Sequence, residues 1–164
     1  MNSLDDVLKA LLDEDSMRLR ELAGLFGDEA AISQDRVAIE LALICYCFHK
    51  IFTKLHFREK NNEIVMSAIA KLKEGEYESL LSDISEFDEK HGLMEGLVGK
   101  ARIKIAARLH SRGISVTQSA SITGAKLSDL FDYVGGTKDY HNHTSGKPLS
   151  ERLNTARDIF NHTK

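Results

Sequence analysis

The chain has 164 residues, of which 42% are hydrophobic and 29% charged, with one proline, eleven glycines and a formal net charge of −3. That length and balance suit a globular body with a true core, and they exclude a disordered chain. So little proline and glycine leaves few turn signals for a hairpin-rich β fold, and long helices are the consequence.

In chain order, Met1 to Lys9 is polar and acidic, so no signal peptide is predicted. Ser3 is placed to cap a first helix whose apolar stripe is Leu4, Val7, Leu8, Leu11 and Leu12. The run Asp13-Glu14-Asp15-Ser16 breaks it and caps a second helix carrying Leu19, Leu22, Leu25 and Phe26, which Gly27 is expected to end. Ser33 or Asp35 then opens the longest helix, through Ile51 and Phe52 to Leu55. Its segment Val37–Phe48 is apolar on nearly every side, with Glu40 as the one interruption. Those twelve residues fall short of the roughly twenty a membrane span requires, so this is a central core helix.

Cys45 and Cys47 lie inside that run. Two residues apart on a helix they point about 200° from each other and cannot close a disulfide. Buried thiols in a reducing, cytoplasmic compartment are the expectation, and no second cysteine pair completes a zinc site. Glu40 is a perturbed buried carboxylate or, as is more often the case, lies on the one solvent-facing strip or pairs with an arginine.

Asn61–Lys73 and Glu76–Lys90 form a helical pair around the stop Lys73-Glu74-Gly75. The pair resembles a single tetratricopeptide-type unit, but no second copy follows at a repeat period, which rejects a solenoid. Leu93–Arg112 is a further helix closed by Gly113. Two short helical segments follow, then a polar loop from Thr137 to Lys147 and a last helix opened by Pro148.

Charge divides along the chain. From Gly99 to Lys164 there are eleven Lys/Arg against five Asp/Glu, which leaves eleven against twenty in residues 1–98. Either the basic part has an anionic partner or the two parts attract each other. Lys100, Lys104, Arg108 and Arg112 recur every four residues, and no acid lies between Gly99 and Ala125. They form a cationic ladder suited to a phosphate backbone or to an acidic protein.

Within Ile114–Val134, Ala120, Gly124 and Leu130 stand at the spacings of a helix-turn-helix. That motif needs a small residue where the helices cross, a glycine for the left-handed turn and an apolar residue to close the angle. Ile122, Leu127 and Phe131 are expected inward, and Ser128 to cap or open the second helix. On Gly113-Ile114-Ser115, Gln118, Ala120, Gly124, Leu130 and Tyr133-Val134-Gly135, the chain resembles the helix-turn-helix of small archaeal and bacterial DNA-binding and antitoxin-type proteins. The resemblance covers roughly Ala101 to Phe160. It implies a second helix that enters the major groove, with Lys126, Ser128 and Asp129 on its leading turn. Two features depart from that pattern: Asp129 and Asp132 stand where phosphate contacts call for cations, and Ser119 fills a normally apolar position.

Two weaker signals remain. His141 and His143 have a spacing that could hold a metal with Asp139, His162 or His110, but the segment is polar and loop-like, so exposed histidines are the expected account and no metal is called for. Arg157 and His162 match the Arg-x4-His spacing of HEPN-type ribonucleases, close to the end of the chain. No phosphate loop, dinucleotide fingerprint or nucleophile motif is present, and no cofactor is called for.

The sequence thus predicts an all-α protein: an acidic helical bundle over 1–92 and a basic helix-turn-helix-like module over 93–164. The expected function is nucleic-acid binding, most simply DNA, through Lys100, Lys104, Arg108, Arg112, Lys126 and Ser128. The bundle would supply a homodimer interface. The alternatives are an antitoxin-like or other protein-interaction module, and behind it a HEPN-like ribonuclease.

Overall fold

The computed structural model describes residues 3–54 and 61–142 together with Arg157, and side chains as far as Gly135 and at Arg157. Among the described residues there are eight helices and no strand, so the fold is all-α. The helices are α1 (Leu4–Leu12), α2 (Ser16–Ser33), α3 (Arg36–Thr53), α4 (Asn61–Glu74), α5 (Tyr77–His91), α6 (Leu97–Ser111), α7 (Val116–Thr123) and α8 (Leu127–Asn142). Residues 1–131 make up one compact unit and 132–164 a second, with α8 running across the division. Position 92/93 therefore falls inside the first unit, at the α5–α6 connection.

The helix starts follow side-chain chemistry. The Asp15 carboxylate accepts the Arg18 N–H at 2.9 Å, Asp35 accepts that of Ala38 at 3.3 Å, and the Ser115 hydroxyl accepts that of Gln118 at 3.1 Å. Each satisfies one of the donors left open at a helix N-terminus.

As its composition requires, α3 is the axis of the first unit. Ile39, Leu43, Ile44, Cys47, Phe48 and Ile51 are almost wholly buried, and α2, α5, α6 and α7 pack around them. Burying each such large side chain contributes about 1.5–3 kcal/mol. Against this axis α2 sets Leu19, Leu22 and Phe26, α5 sets Leu80 and Ile84, and α6 sets Ala101, Ile105 and Leu109. Cys45 and Cys47 are free, buried thiols, and burial raises both well above the ordinary thiol range.

Four expectations are corrected. Gly27 does not end α2, which continues to Ser33; Gly27 is buried and Arg108 lies across it, with the Arg108 Cδ 3.0 Å from where a Cβ would stand. The sixth helix begins at Leu97 rather than Leu93, because Asp88 organises residues 92–96 into a turn. Thr137–Asn142 belongs to α8 and not to a loop; a helix polar on all sides carries no periodic signal. Leu12, Leu25, Leu127 and Phe131 were expected inward, and all four are exposed. Leu55, the helix expected after Pro148, His143 and His162 lie outside the described residues. Among the described residues no helix is long and apolar enough to cross a membrane.

Candidate interaction surface

The cationic ladder divides into two pairs. Arg108 and Arg112 both turn onto Asp28 of α2, each with two hydrogen bonds of 2.8–2.9 Å to its two carboxylate oxygens. The Arg108 guanidinium lies over Gly24 and its stem over Gly27, where a Cβ would stand 3.2 and 3.0 Å from them. Glycine at two positions one turn apart thus opens a slot that lets α6 approach α2 through an arginine. The hydrogen bonds from Arg108, and after the opposing effect of burial those from Arg112, hold the Asp28 carboxyl below the ordinary Asp range. These two rungs tie the acidic part of the chain to the basic part. The other pair, Lys100 and Lys104, is exposed; the Lys100 ammonium donates to the Met94 carbonyl.

The segment α7–turn–α8 carries the spacing seen in the sequence. Ala120 and Leu130 are buried, and Gly124 closes α7 at φ +72°. A side chain at Gly124 would be strained in the left-handed region and would also meet the Arg102 guanidinium, 2.5 Å from a Cβ. That guanidinium donates to the Thr123 carbonyl at 2.7 Å and so caps the end of α7 from α6. Gln118 donates to the Gln34 side chain at 3.0 Å, which links α7 to the end of α2. Ser119 is fully buried with its hydroxyl unpaired, an unusual occupant for the inward face of a helix pair.

Lys126 and Ser128 are exposed at the start of α8, with Asp129 and Asp132. Beside them Leu127 is 38% and Phe131 53% exposed. One turn apart, these two form an apolar ridge where a groove-reading helix would carry polar and cationic groups.

The remaining candidates resolve in place. Glu40 pairs with Arg36 at 3.0 Å, the arginine alternative, and Arg36 also reaches Glu78. The His110 Nδ1 is 2.9 Å from the Ile114 carbonyl oxygen, which binds it to the turn after α6. Among the described residues no group of His, Cys, Asp or Glu could hold a metal. The side chains of Asp139 and His141, and all of His143 and His162, lie outside the described residues, and with them the His141/His143 pair and the Arg157–His162 spacing. Arg157 itself is exposed.

Two residues that organise this region escaped the sequence reading. Asp88 is 2% exposed, and its carboxylate accepts the N–H groups of Met94 (2.8 Å), Gly96 (2.9 Å) and Leu97 (2.8 Å). The available signal was an acid four residues after Ile84, on an inward slot of α5. His49 is the second: buried on α3, its Nδ1 lies 2.9 Å from the Ser16 hydroxyl and 3.0 Å from the Ser16 carbonyl oxygen, joining α3 to the start of α2. Burial lowers its pKa from the ordinary 6.5, against the hydrogen bond to Ser16. No known protein family, curated protein or solved structure matches this chain.

Proposed function

We propose that this chain is a protein-interaction module whose docking face is the first two turns of α8. The observation that carries this reading is the exposed pair Leu127 and Phe131, one turn apart at the start of α8. An exposed apolar ridge suits a protein partner with an apolar pocket. It suits a phosphate backbone poorly, since acids repel phosphate and the apolar contacts discriminate few bases. Neutralisation of Arg108 and Arg112 by Asp28 supports the same reading, because half of the ladder is committed to holding α6 against α2.

A DNA-binding regulator is the second reading. It is favoured by Ala120, Gly124 and Leu130 at helix-turn-helix spacings and by the exposure of Lys100, Lys104 and Lys126. Titration of a labelled duplex at low and moderate salt separates the two. The interaction reading expects weak binding, no discrimination among sequences and little effect of Lys126→Glu. A photo-crosslinking residue at position 131 should yield one discrete protein adduct in the source cell extract, absent when the crosslinker stands at the exposed Glu89. Tight duplex binding with a steep salt slope, lost in Lys104→Glu or Lys126→Glu, would establish the DNA reading instead.

A further inference from the structure

The outward face of α2 carries an apolar stripe that the core leaves uncovered. Met17, Leu25 and Ile32 are all exposed, Ile32 at 89%. Their spacings of eight and seven residues are close to two full helical turns, so the three share one face. Glu21 and Asp28 fill the line between them, and both are already paired, Glu21 with Arg18 at 3.1 Å and Asp28 with the two arginines of α6. Alongside runs a shallow groove of about 550 Å3 lined by Met17, Arg20, Glu21, Gly24, Leu25 and Arg108.

The pattern on this face is close to a palindrome. Met17 and Ile32 stand equally far on either side of the Gly24–Leu25 step. Arg18 stands 6.5 residues and Glu29 4.5 residues from it on one flank of the stripe, an offset of about 3 Å along the axis that two long side chains can span. When two such helices meet antiparallel with their crossing at Gly24–Leu25, Met17 faces Ile32 of the second copy and Arg18 faces its Glu29. The two Leu25 side chains meet next to the axis. Two-fold symmetry forms every one of these contacts twice, including a pair of opposite-charge contacts at the rim.

We infer that the occupant of this face is a second copy of the chain, docked through an antiparallel α2–α2 contact centred on Gly24 and Leu25. The interface is separate from the α8 ridge, so a Phe131→Asp variant should retain it. Sedimentation velocity of the full chain between about 1 and 100 µM should give a concentration-dependent monomer–dimer equilibrium. Ile32→Glu, at a site too exposed to affect folding, should weaken the dimer at least roughly tenfold. Arg18→Glu and Glu29→Arg should each weaken it, and their combination should restore most of the loss, because the reversed pair attracts again. Leu25→Cys should oxidise to a covalent dimer, whereas Glu86→Cys should not. A chain that stays monomeric over the whole range, or a dimer indifferent to Ile32→Glu, would overturn the proposal; so would a charge-swapped double variant no better than its singles.

Discussion

Replacement of Asp88 tests the claim that one buried carboxylate builds the α5–α6 connection. It accepts three N–H groups, of which Leu97 is buried, Met94 half-buried and Gly96 exposed. A hydrogen bond to a charged group contributes about 1.5–3 kcal/mol net, so three bonds set an upper bound near 5–9 kcal/mol. Water can reach the Gly96 and Met94 donors once the side chain is gone, which returns part of that. Asp88→Ala is therefore expected to cost about 3–5 kcal/mol, a large share of the stability of an ordinary domain. Asp88→Asn keeps one oxygen for Gly96 and Leu97 but turns an NH2 toward the Met94 N–H, and should cost about 1–3 kcal/mol. Urea denaturation of the full chain followed by far-UV circular dichroism measures both. Glu89→Ala, on the exposed side of the same helix, should stay within about 0.5 kcal/mol of the parent. If Asp88→Ala fell within about 1 kcal/mol of the parent, the carboxylate would be a passenger and the turn held by packing alone.

His49 makes stability depend on pH. Its folded pKa is lowered by burial, so below pH 6.5 the unfolded chain takes up a proton that the folded chain refuses. Stability should rise with pH from the folded pKa to 6.5 and be level above it as far as this group is concerned; His49→Gln should flatten that segment of a denaturation-against-pH profile, and an unchanged slope would remove His49 as its source. Gly27 and Arg108 should be coupled. Glycine to alanine inside a helix ordinarily stabilises by about 0.5–1 kcal/mol. Here the new Cβ meets Arg108 at 3.0 Å, so Gly27→Ala should be neutral or destabilising in the parent and stabilising in the Arg108→Ala background. A double-mutant cycle with a coupling near zero would contradict that slot.

Where a helix presents one apolar stripe to the core, its place was legible from spacing alone, as for α4 and α5, and the body of α3 was legible from its unbroken apolar run. The failures share a physical origin, which is that the deciding partner is distant in sequence. Gly27 carries the usual signature of a helix end, and only the approach of Arg108 makes it an interior residue. Residues 93–96 have helical propensity, yet Asp88 draws their N–H groups away from the helical ladder. Phe131 keeps helical register with Leu127, which promised an inward pair; Leu130 alone fills the available space, and the pair faces outward. The site was legible to the same degree: the spacing of Ala120, Gly124 and Leu130 could be read directly, whereas the character of the face they present could not.

The ladder illustrates how a regular charge period can mislead. A four-residue step on an α-helix turns through about 400°, so successive rungs advance by roughly 40°. From Lys100 to Arg112 the line therefore drifts by about 120°, a third of the circumference. A stripe that begins toward solvent ends toward whatever packs alongside, and beside α6 that is α2, with Asp28 at the point of arrival. Exposure follows the drift in its upper part: Lys100 and Lys104 are exposed and Arg108 is half-buried, while Arg112 stays at the rim. The absence of acids between Gly99 and Ala125 carried no information about neutralisation, because the acid came from another helix. A four-residue cationic period thus indicates a shared edge, and only the neighbouring helix decides how much of that edge is left for a partner.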